Sequence, residues 1–365
     1  MLMWLIIFAV LLLVAGGGFV YLTAGVHRFS PVKRLGEGHK LLSWVISAFI
    51  VAAVGVLSSL INVWSAIVIM IHLFVFWAIA DLIALIAGKI AGCKQTRNIS
   101  GIAAIAFTAI YLAFGWYEAH HIVRTEYGFT TEKLVEPLKI AMFADSHLGI
   151  TLDGEDFAEQ MEHISAEEPD LLIIAGDFVD DDSCRADMER ACAALAEIQP
   201  KYGKYFSFGN HDKGYYESMR DLTEADLRVE LEKSDVTILE DESVMLSDKL
   251  LLTGRQDKST EDRAEFSALE HGSAEIYQIV IDHQPNDYTA ESENGADLVL
   301  SGHTHGGHLF PAGYIGLWIG ANDFVYGTTR RGDTDFVVTS GISGWALPFK
   351  TGAKSEYLII NVTEK

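Results

Sequence analysis

The sequence predicts an α/β domain preceded by an all-α membrane region of about four spanning helices. Two observations carry this. Apolar residues dominate the front of the 365-residue chain, and after Leu138 the pattern changes to short buried strands, each ending in a polar cluster and leading into a helical stretch. From Met1 to Tyr127 there are eight Lys or Arg and four Asp or Glu, against nineteen and forty-six in the remainder. Residues 1–127 are therefore expected to form the membrane region and residues 128–365 the second domain. The acidic second part carries no basic stripe, which argues against a nucleic-acid partner, since phosphate backbones are held by Lys and Arg.

Met1–Thr23 contains no charge and, at about 1.5 Å rise per residue, is long enough to cross a hydrocarbon core of roughly 30 Å. A cleaved signal peptide would show a basic leader and a shorter apolar core. Leu41–Ile61, Trp64–Ala87 and Ile99–Tyr117 are three further apolar stretches. The connection holding Arg28, Lys33, Arg34 and Lys40 and the one holding Lys89, Lys94 and Arg97 are basic, so both are expected on the cytoplasmic side. With an even number of spans, everything after Arg124 then lies outside, giving an integral, multi-pass protein with an extracytoplasmic domain. His72 and Asp81 fall inside the third span on opposite helix faces, where packing or reach to the interface is the expected role. Cys93 sits in a connection, and Cys184 and Cys192 are separated by about 12 Å of helix, too far for a disulfide.

In the second part, strands are predicted over Lys139–Ala144, Leu171–Ala175, Tyr205–Phe208, Ile276–Ile281 and Leu298–Leu300, with helices over Phe157–Ile164 and around Met188–Ile198. Each strand delivers candidate ligands at its carboxyl end: Asp145 and His147, Asp177, Asn210, His283, then His303 and His305, with His211, Asp212 and His308 as further polar residues beside them. That edge of an open α/β sheet is where loops converge on a rigid base. His163 and His271 are read as surface residues.

Asp, His and Asn donors suit borderline divalent ions such as Mn, Zn, Fe or Ni better than Ca or Mg. Seven candidate ligands are too many for one tetrahedral ion, whereas two divalent ions sharing a bridging carboxylate would use them all. No His-Glu-x-x-His helix is present to support a zinc peptidase. Asp145-x-His147 and His303-x-His305 each place two donors on the same side of an extended segment, so each pair can grip one side of a cluster.

These motifs (Asp145-x-His147, Gly176-Asp177, Gly209-Asn210-His211-Asp212, His283 and Gly302-His303-x-His305) resemble those of the calcineurin-like metallophosphoesterase family and its membrane-associated branch, over roughly Lys139 to the C-terminus. The resemblance implies a metallophosphoesterase-type β-sandwich flanked by helices. It implies that Asp145, His147 and His305 hold one metal, Asn210, His283 and His303 the other, and that Asp177 bridges them. It further implies a hydroxide between the ions as nucleophile and His211 facing the scissile phosphate, with Asp212 as its orienter. The family's Gly-Gly-Gln continuation is replaced by His308, a candidate substrate contact or a group that supports the ligands from behind. A loop that carries Arg in the family reads Ser340-Gly341-Ile342-Ser343-Gly344, with Lys350 as a candidate substitute.

The function expected is a membrane-anchored phosphoesterase acting on a phosphate mono- or diester, with phosphorylated small molecules, phospholipids, UDP-diacylglucosamine-type pyrophosphates and cell-envelope phosphodiesters as compatible substrates. The alternative is a catalytically idle scaffold serving as receptor or assembly platform. Loss of a ligand would mark it, and all seven are present.

Overall fold

The computed structural model describes residues 2–37, 39–92, 98–214 and 220–365, with side chains from residue 14 onward. Cys93, Lys94 and Arg97 lie outside the described residues. The chain divides into two compact units, Met1–Phe114 and Gly115–Lys365.

The first unit is helical: α1 (Leu2–His27), α2 (Ser30–Leu35), α3 (Lys40–Ser58), α4 (Val63–Ala91) and most of α5 (Ile99–His120), within which the division falls. Among the described residues α3, α4 and α5 have the length and apolar composition to cross a membrane. The first expected span is helical as α1, and the side chains of its first thirteen residues lie outside the described part. Leu22, Val51, Trp77 and Ala104 form a buried centre, whereas Leu41, Phe49, Ile83 and Ile110 point outward. This is the reverse of a water-soluble bundle and suits apolar surroundings. Asp81 accepts hydrogen bonds from Tyr21 Oη at 2.7 Å, Arg28 Nη2 at 2.6 Å and Ser100 Oγ at 2.5 Å, so it ties three helix segments together. His72 Nδ1 is 2.8 Å from the Val68 carbonyl within its own helix.

The second unit contains β1 (Ile122–Thr131), β2 (Leu138–Phe143), α6 (Gly154–Ala166), β3 (Leu171–Ile174), α7 (Arg185–Ala196), β4 (Lys204–Phe206), α8 (Glu224–Lys233), β5 (Val236–Ile238), β6 (Glu242–Ser247), β7 (Leu250–Gly254), β8 (Tyr277–Ile281), α9 (Tyr288–Glu293), β9 (Leu298–Ser301), α10 (Ile315–Trp318), β10 (Gly327–Arg331), β11 (Thr334–Val338) and β12 (Ser355–Glu364). They form two six-stranded sheets, ordered β1-β12-β2-β3-β4-β5 and β10-β11-β9-β8-β7-β6. Strand β1 runs through position 127, so residues 122–127, read from sequence as membrane region, pair with Ser355–Ile360 of β12.

Alternation along the strands explains the layers. Ile140 and Met142 of β2 pack with Leu252, Ile279 and Leu300 of the other sheet. Their neighbours Ala141 and Phe143 pack with Phe157 and Met161 of α6 and Met188 and Leu195 of α7. A third cluster, with Val280, Tyr288, Val299 and Phe336, covers the outer face of the second sheet. Strands buried on both faces read as continuous apolar runs, as parallel ones do. The result is an α/β sandwich flanked by helices. Strands β2 to β5 run parallel to one another, as do β7, β8, β9 and β11.

Cys184 precedes α7 and Cys192 lies within it, both as free thiols. His163 is exposed, as expected. His271 is not: it is half-buried with its ring 5.0 Å from that of Phe266, because the loop before β8 folds back over that phenyl group.

Candidate metal centre

The polar loops after β2, β3, β4, β8 and β9 meet. Asp145 N donates to Gly176 O at 2.9 Å and His147 N to Asp177 O at 3.1 Å, which stitches the first two loops together. Gly176 has φ 81°, and a Cβ there would meet the Gly209 backbone and the His283 ring within 2.8 Å, so only glycine lets the third and fourth loops approach. Asp145, His147, Asp177, His303, His305 and His308 all have φ between 36° and 70°. Non-glycine residues in this left-handed region carry backbone strain of the kind found at functional sites.

Two groups of donors result. Asp145, His147 and His305 offer atoms lying within 4.8 Å of one another, and so do Asp177, His283 and His303. His147 Nε2 is 3.2 Å from His305 Nε2, and His305 Nε2 is 3.6 Å from Asp145 Oδ1. Asp177 Oδ2 stands between the groups, 3.6 Å from His147 Nε2 and 3.1 Å from His283 Nε2. Asn210 Oδ1 is 2.9 Å from His303 Nδ1, beside the second group.

The outer nitrogens of two histidines are fixed. His147 Nδ1 lies 2.9 Å from Asp180 Oδ2, and His283 Nδ1 lies 2.7 Å from the Ala175 carbonyl. Such partners hold the proton on Nδ1 and leave the Nε2 lone pair aimed inward. His283 Nε2 makes no hydrogen bond although it is buried, and neither does His305 Nδ1. His147 Nε2 and His305 Nε2, 3.2 Å apart and buried beside Asp145 and Asp177, make a nitrogen and oxygen donor set that fits divalent cations.

The titration of these groups points the same way. Burial pushes Asp145 up to about 6, with Asp177 adding to the rise and His283 and His147 opposing it. Burial also opposes ionisation of Asp177, but His283 and His147 outweigh it and hold that carboxylate well below its ordinary range. Burial disfavours charge on His147 and His283, yet Asp180 and Asp177 raise the first, and Asp177 and Asp145 raise the second well above an ordinary imidazole. Burial pushes His303 down to about 4 and His305 well below the ordinary value. The carboxylates thus demand positive charge at the centre.

Two expectations change on contact with the structure. Asp212 is not placed to orient the His211 ring, because its carboxylate accepts four backbone N–H groups, from Asp177, Phe178, Val179 and Gly209, at 2.7–3.1 Å. It fixes the loops instead. Lys350 does not reach for phosphate: it is fully buried, and Nζ donates to the carbonyls of Ser340, Gly341 and Ser343. It ties down the loop that covers Asp145. His308 sits beside the first group, its ring 5.3 Å from that of His305, and burial lowers it to about 3.

His211 is half-buried, its backbone N–H donating to Asp177 Oδ1 at 2.8 Å and its ring 5.1 Å from that of His147. Burial lowers its pKa. Trp345, 44% exposed, lies 5.3 Å from the His211 ring, and nothing in the sequence around it marks it. Asp180 was also missed. Its signal was the acid three residues beyond Asp177, hidden in the run Asp180-Asp181-Asp182. At the end of β8, Asp282 is buried against Arg255 at 3.2 Å and also pairs with Arg263, which anchors the residue preceding His283.

Parallel strands that end in Asp and His loops thus enclose two adjacent candidate metal-binding groups, an arrangement that phosphoesterases are among the enzymes to use. The calcineurin-like phosphoesterase family model matches residues 138–307, which include all seven candidate ligands. A metallophosphoesterase of Aquifex aeolicus is 31% identical over 218 residues, covering 57% of this chain and 79% of its own length. One from Helicobacter pylori is 29% identical over 241 residues (64% and 62%). A transmembrane protein with metallophosphoesterase domain of Danio rerio is 27% identical over 285 residues (72% and 62%). The chain spans about six tenths of the length of the latter two relatives. It belongs to the calcineurin-like metallophosphoesterase family.

Proposed function

We propose that the protein is a membrane-anchored, metal-dependent hydrolase of phosphate mono- or diesters. The observation that carries this is Asp177 Oδ2, set between His147 and His283 so that one carboxylate serves both donor groups. Asp145, His147 and His305 would hold one ion, Asn210, His283 and His303 the other, with Asp177 shared. Mn, Zn, Fe and Ni suit these donors. Two such ions supply Lewis-acid stabilisation of phosphoryl oxygens and a nucleophile at neutral pH. His211, with its pKa lowered, serves as a neutral N–H donor to a phosphoryl oxygen as negative charge builds there. His308 is assigned to the substrate on the side of the first ion.

The apolar helices α1, α3, α4 and α5 anchor the protein as a multi-pass membrane region, and the domain that follows, from β1 onward, faces the extracytoplasmic side. This rests on the apolar helices and the basic connections. A phosphorylated small molecule or lipid at the membrane is the substrate class this reading supports.

The test uses the full chain, purified in detergent and reconstituted with Mn or Zn. We expect two metals per chain and metal-dependent release of nitrophenolate from bis-p-nitrophenyl phosphate or p-nitrophenyl phosphate. A folded sample with no metal and no release would leave the scaffold reading. His211→Ala is expected to keep both metals and lose about a hundredfold or more in rate; loss of the metals in that variant would overturn its assignment.

A further inference from the structure

Residues 309–322, between His308 and β10, contain no charged side chain. The segment is pinned at both ends to loops of the metal centre. At its start, Phe310 N donates to Thr351 Oγ1 at 3.1 Å, and Thr351 N and Gly352 N donate to the His308 carbonyl at 2.8 and 2.9 Å. At its end, Asn286 Nδ2 donates to Ala321 O at 2.5 Å, and Asp323 N to Pro285 O at 2.7 Å. Pro285 and Asn286 lie two and three residues after His283, so the excursion leaves from one ligand loop and returns to another. It therefore lies at the rim of the centre.

The middle of this segment faces outward. Phe310 is 57% exposed, Trp318 72% and Ile319 73%, and Tyr314, Ile315 and Leu317 are exposed with them. Elsewhere in the second unit, among the described residues, exposed large apolar side chains stand alone or in pairs, as at Val135, Val229 and Met245. A contiguous apolar patch of this kind marks an interaction surface.

Charge selects the occupant. The unit has a large acidic excess, so a basic protein would be drawn to the rest of its surface, and anionic headgroups would be repelled. An uncharged stretch bearing Trp, Tyr, Phe and Ile matches the interfacial layer of a zwitterionic bilayer, where indole and phenol rings sit between headgroups and acyl chains. Three helices of the same chain have the length and composition to cross such a bilayer. We infer that residues 309–322 dock on the uncharged interfacial layer of a lipid bilayer and hold the rim of the metal centre against it. This docking does not depend on the hydrolytic reading.

The experiment is nitroxide accessibility in the full chain, reconstituted in phosphatidylcholine nanodiscs after replacement of Cys93, Cys184 and Cys192. Trp318→Cys and Ile319→Cys carry the label in turn, with exposed Glu275→Cys as reference. Both test positions are exposed, so the label leaves the core intact. The ratio of collisions with oxygen to collisions with a water-soluble nickel chelate is expected to be about threefold or more higher at 318 and 319 than at 275. Equal ratios would place the segment in water and overturn the proposal. Exclusion of both colliders would show it covered by protein, a second copy included, and would overturn it as well.

Discussion

The two donor groups of the centre are built from similar residues and supported differently. In the first, Asp145, His147 and His305 are all buried, and His147 is held by the Asp180 carboxylate. In the second, His303 is only partly buried, and His283 is held by the Ala175 carbonyl, a backbone atom. A carboxylate partner makes a histidine more basic, and a side chain can remove it; a carbonyl does less to the ring and is fixed by the sheet. The first group is thus the more tunable and the second the more strictly dictated by the fold.

The strongest test of this contrast is the residue common to both. Asp177→Asn is expected to lower turnover by roughly a thousandfold and to deplete both metals, measured by elemental analysis beside nitrophenyl ester hydrolysis. If one metal stays at full occupancy, Asp177 is not shared. Next come the separate halves: His305→Ala and His303→Ala should each reduce content from two metals to one per chain, with one distinguishable ion lost in each case. Loss of both ions in either variant would show the groups to be inseparable.

A smaller effect is expected at Asp180. Asp180→Asn should weaken metal binding at the first group by about ten- to a hundredfold and leave the second unchanged, as read by metal titration. The mildest lever is pH. A proton and a cation compete for the same carboxylate, so affinity falls as pH drops below the carboxyl's pKa. Burial raises Asp145 of the first group to about 6, and, against the effect of burial, the carboxylates of Asp177 and Asp145 hold His283 of the second group well above an ordinary imidazole. A ligand must lose its proton to bind, so both groups should lose affinity as pH falls, by up to about tenfold per pH unit, and the second, whose His283 holds its proton more tightly, should lose its ion at the higher pH. Parallel loss of both ions on the same curve would count against the contrast.

Much of the centre was legible because its ligands sit at the ends of strands whose apolar runs announce themselves. Lys139–Ala144 and Leu171–Ala175 were expected as strands, and they appear as Leu138–Phe143 and Leu171–Ile174. Strand β1 was not foreseen, since Ile122–Thr131 alternates half-buried and exposed residues and follows directly on a long apolar helix. Its identity as a strand depends on β12, more than two hundred residues away. Asp212 was misread for a related reason. In the sequence it adjoins His211, but its carboxylate turns toward the loop after β3, where four N–H groups need an acceptor.

By itself the sequence determined the apolar front, the α/β rhythm behind it and the seven candidate ligand residues, because residue type, periodicity and strand ends are local properties. Only the tertiary structure decided that Asp177 stands between two groups, that Asp180 orients His147, that Lys350 faces inward and that residues 309–322 are pinned at the rim of the centre. Each of these depends on which loops approach one another. That is set by strand order and by the packing of two sheets, which contacts between residues distant in the chain determine.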